Sequence, residues 1–404
     1  MAHIAFFSVA AHGHISPTLG VVAELTARGH QVTYFTTGAF EERLTRLGAT
    51  VCRYDTAPSP NQSPAAFASG DLSALPLFFL HSAAERVALA EKWFGDERPE
   101  AIVYDNTAPF AGRALARRWG CRAVQFFPSL ASGRGYALMD AMLERTGRSP
   151  EHDAHTAEFD RRLAGFLAGA GLPGLGTEEF MDFEEELNLA FLPREFQPAA
   201  DTFGPHHRFV GPSLGGRDDE GTWRRPPGGG PVAYVSLGTV FNRSADFYRR
   251  CAEAFDGSEF SVVMSVGEGT DPASLGPLPA QVEVHRTVPQ LSVLAQADVF
   301  VTHGGMGSTM EALASATPMV VVPQMVEQEV IADRVAALHL GVRLDPDAGP
   351  AALLAAAREA VTDRRIGDST ARMRRCAQEA GGARAAADAV EGQLRNGAEG
   401  ASGQ

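Results

Sequence analysis

The 404-residue chain contains a single lysine, Lys92, among 35 basic residues, and that scarcity removes whole classes of chemistry. No GxxxxGK[ST] phosphate loop can be written. A pyridoxal Schiff base would have to use Lys92, which sits in the helix-like, acidic stretch AERVALAEKWFGDERPE, a poor cofactor pocket. Cysteine is also sparse. Cys52, Cys121, Cys251 and Cys376 are scattered without CxxC spacing, as buried free thiols in a reducing compartment would be. No apolar run approaches the roughly 18 residues that a membrane span needs, and MAHIAFFS lacks a basic n-region and a cleavage site, so the expected location is the cytoplasm. There the NRS sequon at Asn242 is meaningless. Positive charge is short overall, with a formal net charge of −14. This argues against nucleic acid or an anionic membrane as partner and requires any anionic ligand to be held by local devices.

What is present is an alternation. The runs HIAFFSV, QVTYFTT, TVCRYD, AIVYD and RAVQFFPS are β-like and alternate with amphipathic runs such as FEERLTRLG and GRALARRWG, the pattern of a doubly wound sheet. Residues 211–231, GPSLGGRDDEGTWRRPPGGGP, are too rich in Gly, Pro and charge to form a core element and read as a linker. A second alternation follows through VAYVSLG, EFSVVMSVG, VEVH, DVFVTHGG and PMVVVPQ. The expectation is an α/β protein of two Rossmann-like domains facing each other across a cleft, residues 1–210 and 232–392, with a disordered tail at 393–404. The region 56–95 breaks the first alternation with Pro, Ser and the pair Phe78 and Phe79, as a functional loop or lid would, although the pair could equally pack on the sheet.

Two positions carry chemistry. In FSVAAHGHISPTLGVVAELTARGH a strand is followed by Ser16 as N-cap, Pro17 at the first helical position, an apolar face through Leu19, Val22 and Leu25, and Gly29 as a stop. His12 and His14 then lie on the loop at the strand's carboxyl end, where open parallel sheets place ligands. Such histidines often only bond the backbone. A metal pair is disfavoured, because no Cys, Asp or Glu lies beside them at ligand spacing. In DVFVTHGGMGSTMEALASATPMVVVPQ a strand ends at Thr302, a Gly-rich turn follows and a helix opens near Ser308. Exposed N–H groups at such a helix start cradle phosphate without net positive charge. Glu311, one turn in, can accept hydrogen bonds from a diol such as a ribose, and SLGT at 236–239 offers a second strand-end turn.

The segment HGGMGSTMEAL, with VPQL at 288–291 before it and PQMVEQ at 323–328 after it, resembles the nucleotide-sugar signature of GT-B glycosyltransferases that modify natural products. Within them it is most similar to the bacterial macrolide glycosyltransferase group. The opening segment and EAGGARAAADAVEG near the end fit the same group. The resemblance implies His14 as general base with Asp105 as its partner. It implies that His303, Gly305, Ser308 and Thr309 hold a pyrophosphate, with Thr239 closing the other side and Glu311 on the ribose. Val288 and Gln290 would line the base and ribose, and Glu327 and Gln328 would meet sugar hydroxyls. Two departures stand out: Gly307 where many relatives have Asn, and Thr287 where a base-stacking Trp is usual, with Arg286 beside it as a partial substitute.

The implied function is an inverting, metal-independent transfer of a hexose, glucose first, from UDP or dTDP to a hydroxyl of an apolar natural product. No metal and no cofactor beyond the nucleotide sugar is expected. The DPD string at Asp345 to Asp347 reads as a turn rather than a metal site. Phe78, Phe79, Phe126, Phe127 and Tyr136 are candidate acceptor-pocket walls that could equally be core. The alternatives are a dTDP-deoxysugar transferase, a nucleotide-sugar epimerase or hydrolase on the same scaffold, and a catalytically silent partner protein. Acceptor identity and oligomeric state have no signature in the sequence.

Overall fold

A computed structural model of the chain describes residues 1–54, 75–146, 154–182, 184–217, 221–226, 230–239 and 242–401. It comprises two compact units, Met1–Gly216 with Ala380–Gln404, and Arg217–Glu379. Among the described residues the first unit holds a seven-stranded sheet of β1 (His3–Phe7), β2 (Gln31–Thr36), β3 (Thr50–Arg53), β4 (Ala101–Asp105), β5 (Arg122–Phe127), β6 (Leu187–Ala190) and β7 (His207–Phe209). Its order is β3-β2-β1-β4-β5-β6-β7, and every pairing is parallel. The second unit holds β8 (Val232–Ser236), β9 (Ser261–Ser265), β10 (Val282–His285), β11 (Val299–Thr302), β12 (Met319–Val321) and β13 (Gly341–Arg343). Their order is β10-β9-β8-β11-β12-β13, again all parallel.

Parallel strands covered on both faces must be apolar throughout rather than alternating. That is why AIVYD and VAYVS are buried at every residue. In each sheet the chain builds outward on one side and then returns to the other side of its first strand. The order therefore reverses between β1 and β4 and again between β8 and β11, and ligands in open α/β sheets bind outside the strands' carboxyl ends at such points. Asp105 ends β4 at the first reversal, and the turns Leu237–Thr239 and His303–Gly305 follow β8 and β11 at the second.

The end of the chain differs from expectation. The last helix, Gly382–Ala401, belongs to the first unit, not to a second domain ending at 392, and it is helical through residues 393–401, where a disordered tail was expected. The reason is an apolar stripe of Ala386, Ala387 and Val390 that joins the core formed with Leu19, Val22 and Leu25 of the first helix, His12–Ala27. Gly20 permits this approach, since a Cβ there would lie 2.9 Å from the Cβ of Ala383. Arg28 pairs with Asp388 at 2.6 Å and Glu391 at 3.0 Å across the same seam. The unit boundary at 216/217 falls inside the Gly- and Pro-rich linker.

Candidate active site

In the first unit the register pairs Phe7 of β1 with Tyr104 of β4, so the chain leaves both strands side by side, with Asp105 as the last residue of β4. The following helix starts at His12 with Ala11 as N-cap, five residues earlier than the expected cap Ser16. Pro17 is accommodated inside it because the carbonyl it leaves unserved, that of Gly13, belongs to an exposed residue that water reaches. His14 therefore stands on the helix's first turn, not on a loop. Its Nδ1 lies 2.7 Å from Oδ2 of Asp105. Asp105 is fully buried and also accepts from the N–H of Thr107 at 2.9 Å, the N–H of Val9 at 3.3 Å and the hydroxyl of Ser8 at 3.4 Å. Burial alone would push its carboxyl up, but the charge and hydrogen bond of His14 and the backbone donors outweigh it and hold the group below the ordinary carboxylate range. An ionised carboxylate on Nδ1 fixes the tautomer and makes Nε2 the basic nitrogen. The His14 side chain is 22% exposed, so the ring bridges a buried anion and the surface. His12 is exposed and meets the ring edge of Phe40, with centroids 5.1 Å apart.

In the second unit Thr302 of β11 pairs with Ser236 of β8, so the turns Leu237–Thr239 and His303–Gly305 leave the sheet next to each other. The imidazole of His303 fills the space between them. A Cβ on Gly238 would lie 2.7 Å from its Cε1, and one on Gly305 would lie 2.4 Å from its Nε2. The helix Met306–Ser315 opens with Gly305 as N-cap and no side-chain cap, leaving its first N–H groups to an external partner. Gly307 is exposed and Ser308 half-buried at that opening. Thr309 is fully buried, and its hydroxyl has no hydrogen-bond partner among the described residues. Thr239 is exposed at the end of the other turn.

Burial lowers His303 to about 4, against a hydrogen bond to the backbone of Ser236 that raises it. The folded imidazole thus refuses a proton that the unfolded one accepts below pH 6.5. The unit should therefore lose up to about 3 kcal/mol of stability as pH falls from 6.5 to 4. Urea unfolding at stepped pH checks this, and His303→Asn should flatten that part of the profile; an unchanged slope in the variant would refute the assignment.

A polar network that the sequence did not reveal surrounds Gln290. Its Oε1 accepts from the hydroxyl of Tyr234 at 2.8 Å, and its Nε2 donates to Oε2 of Glu311 at 2.6 Å and to Oγ of Ser308 at 3.2 Å. Arg217 donates to Oε1 of Glu311. Asn242, first met as a sequon, is buried and ties the SLGT turn down through the carbonyl of Gly238 at 3.0 Å and the N–H of Gly269 at 3.1 Å. None of Tyr234, Arg217 and Asn242 lies in a ligand-binding motif, and only their hydrogen bonds to distant residues mark them.

Other expected residues fall as follows. Val288 is half-buried just before Pro289, the N-cap of the helix Gln290–Leu294. Glu327 is half-buried and Gln328 buried on the helix Val326–Ala337, the amide oxygen of Gln328 accepting from the N–H of Gln324 at 2.7 Å. Thr287 is exposed, and Arg286 beside it is drawn to Asp271 at 3.2 Å. Asp345 and Asp347 are exposed on the turn after β13, where the carbonyl of Pro346 accepts from Arg250 at 2.8 Å. Phe126 and Phe127 correct the list of acceptor-pocket walls: both are fully buried in β5, a strand covered on both faces, and Phe126 packs edge-on to Phe191 at 5.9 Å. Phe79 is buried against the half-buried Phe78, and Tyr136 is half-buried. Residues 55–74 of the expected lid lie outside the described residues. Among the described residues no helix is long and apolar enough to cross a membrane.

Residues 253–387 match the model of the C-terminal domain of erythromycin biosynthesis protein CIII-like proteins. The chain is 38% identical over 403 residues to oleandomycin glycosyltransferase of Streptomyces antibioticus, covering 97% of this chain and 91% of that one. It is 36% identical to an NDP-glycosyltransferase of Bacillus licheniformis, covering 97% and 98%. Among solved structures it is similar to the calicheamicin glycosyltransferase CalG4, with a TM-score of 0.86, 36% identity and 98% of each chain covered.

Proposed function

The chain belongs to the GT-B glycosyltransferases that transfer sugars from nucleotide diphosphates to macrolides and other natural products, and from that premise we propose an inverting, metal-independent transfer of a hexose, glucose first, to a hydroxyl of an apolar acceptor. The observation that carries this reading is the His14–Asp105 pair at 2.7 Å on the β1/β4 reversal. Nε2 of His14 takes the acceptor's hydroxyl proton while the acceptor oxygen attacks the anomeric carbon. The bond from that carbon to the phosphate oxygen breaks, and the nucleotide diphosphate leaves with the electron pair. One base and one in-line displacement invert the anomeric centre. Asp105 stabilises the imidazolium that forms.

The leaving diphosphate would sit on the N-terminus of the helix Met306–Ser315, against Gly305, Ser308 and Thr309, with His303 below and Thr239 opposite. Helix N–H groups and the dipole compensate the phosphate charge there, the work a metal does in other architectures. Glu311 and Gln290 would take the ribose, Val288 the base, and Glu327 and Gln328 the sugar hydroxyls. Phe78 and Tyr136 are the remaining candidates for the acceptor.

The test is a donor competition on one accepted acceptor, with chelator present and absent. UDP-glucose should turn over, dTDP-glucose should follow within about tenfold, and saturating chelator should leave both rates unchanged. The product from an α-linked donor should be the β-glycoside by NMR. Exclusive use of a dTDP-deoxysugar would overturn the glucose reading, activity restored only by Mg²⁺ or Mn²⁺ would overturn the cradle, and an α-glycoside would overturn inversion.

A further inference from the structure

We propose that Arg217 is a positioning residue for ribose recognition, acting through Glu311; the inference rests on the assignment of Glu311 to the ribose. Both side chains are largely buried, 12% exposed for Arg217 and 9% for Glu311. A carboxylate taken this far from water is stable as an anion only beside a compensating charge. The guanidinium of Arg217 supplies that charge on Oε1. Oε2 takes a neutral N–H from Gln290 at 2.6 Å. The orientation of that amide is set from its other end, since the hydroxyl of Tyr234 donates to Oε1 of Gln290 at 2.8 Å. Burial pushes the Tyr234 phenol up, so it remains a donor.

Glu311 is therefore fixed at both oxygens, by a charged donor on one side and an oriented amide on the other. An ionised, immobile carboxylate is what a diol needs as acceptor; a protonated or rotated one loses that geometry. Arginine suits the place because its planar fork gives direction as well as charge, whereas a lysine would give charge alone. Arg217 is also the first residue of the second unit, directly after the linker glycines, a position that no phosphate-loop or nucleotide signature covers.

The experiment measures equilibrium binding of UDP and of 2′,3′-dideoxy-UDP, which lacks the diol, to the full chain and to Arg217→Met, Arg217→Lys, Glu311→Gln and the double variant Arg217→Met/Glu311→Gln. The unaltered protein should prefer UDP by about ten- to a hundredfold, the range of one or two charge-assisted hydrogen bonds. Arg217→Met should reduce that preference to within about threefold, as should Glu311→Gln, and the double variant should show no further loss, since the two act as one unit. Arg217→Lys should keep an intermediate preference, and it serves as the test if Arg217→Met does not fold. In Arg217→Lys the donor KM should rise with kcat within about twofold.

If Glu311→Gln keeps the full preference for UDP, the ribose assignment fails and the proposal with it. If Glu311→Gln abolishes the preference while Arg217→Met and Arg217→Lys retain it, the assignment stands and the proposal is overturned. Equal weakening of UDP and dideoxy-UDP in Arg217→Met, unaffected by Glu311→Gln, would make Arg217 a phosphate contact and would also overturn it.

Discussion

His14→Ala is expected to lower kcat by about 10²- to 10⁴-fold, the usual worth of a positioned general base, while binding of the nucleotide diphosphate to the second unit stays within about twofold. The split follows from where the residues stand. His14 and Asp105 belong to the unit Met1–Gly216, and the helix Met306–Ser315 belongs to the other. His12→Ala should cost far less, because its exposed ring packs on Phe40, whereas His14 is held by a buried carboxylate at 2.7 Å. Asp105→Asn should follow His14→Ala in direction. The amide oxygen could still accept from Nδ1, but it neither enforces the tautomer nor balances the imidazolium, and the amide NH2, in the place of Oδ1, would face the N–H of Thr107. The two losses should be strongly non-additive, since orienter and base act as one unit. Steady-state kinetics on the two single variants and the double variant decide the matter. A larger loss in His12→Ala than in His14→Ala would show that the opening motif has been assigned the wrong way round.

How far the sequence was legible depended on whether a feature was local. Strands such as AIVYD and VAYVS announced themselves because burial on both faces demands continuous apolar runs. β6 and β7 did not, being LNLA and HRF, too short for any period to register and, in HRF, carrying an exposed arginine at the edge of the sheet. The start of the first helix is masked in the sequence because Ser16–Pro17 is a strong start signal, and only the tertiary fit of Ile15 and Leu19 into the core overrides it. The unit to which the last helix belongs is hidden for a related reason: an alanine-rich stripe shows that it packs, not against which partner. Among site residues, His14, Asp105, His303 and Glu311 sat in motifs. Phe126 and Phe127 were ambiguous because an apolar residue in a parallel strand reads the same whether it faces a ligand or the core. Tyr234, Arg217 and Asn242 act through contacts 27 or more residues away, to Gln290, Glu311 and Gly269, and such contacts leave no trace in a linear pattern.

If the diphosphate sits in the proposed cradle, Gly305→Ala and Gly238→Ala should each weaken UDP binding by about a hundredfold, since both glycines leave room for the ring of His303 where a Cβ would not. The ring lies over both glycines, with Nε2 2.4 Å from a Cβ at 305 and Cε1 2.7 Å from a Cβ at 238. Real Cβ atoms do not approach other heavy atoms so closely, and the imidazole cannot simply swing aside, because it is buried and bonded to the backbone of Ser236. Either methyl must therefore separate the turns that leave β8 and β11, displacing the helix N-terminus from the position where its N–H groups meet the ligand. Gly238 carries a further cost because its φ is +73°, in the left-handed region. Overpacking costs about 1 to 3 kcal/mol and the left-handed conformation about 1 to 2 more, so Gly238→Ala should destabilise the second unit more than Gly305→Ala. Gly307→Ala is the control. It stands in the same loop-to-helix segment, but a Cβ there meets nothing within 4 Å, and alanine favours the helix by up to about 1 kcal/mol. Its UDP affinity should stay within about threefold of the parent and its stability should rise. Titration of UDP into the three variants, with urea unfolding of each, separates the cases. If Gly305→Ala bound UDP as tightly as Gly307→Ala, the ring of His303 would not be what sets the two turns, and the cradle would have to be sought elsewhere on the β8/β11 reversal.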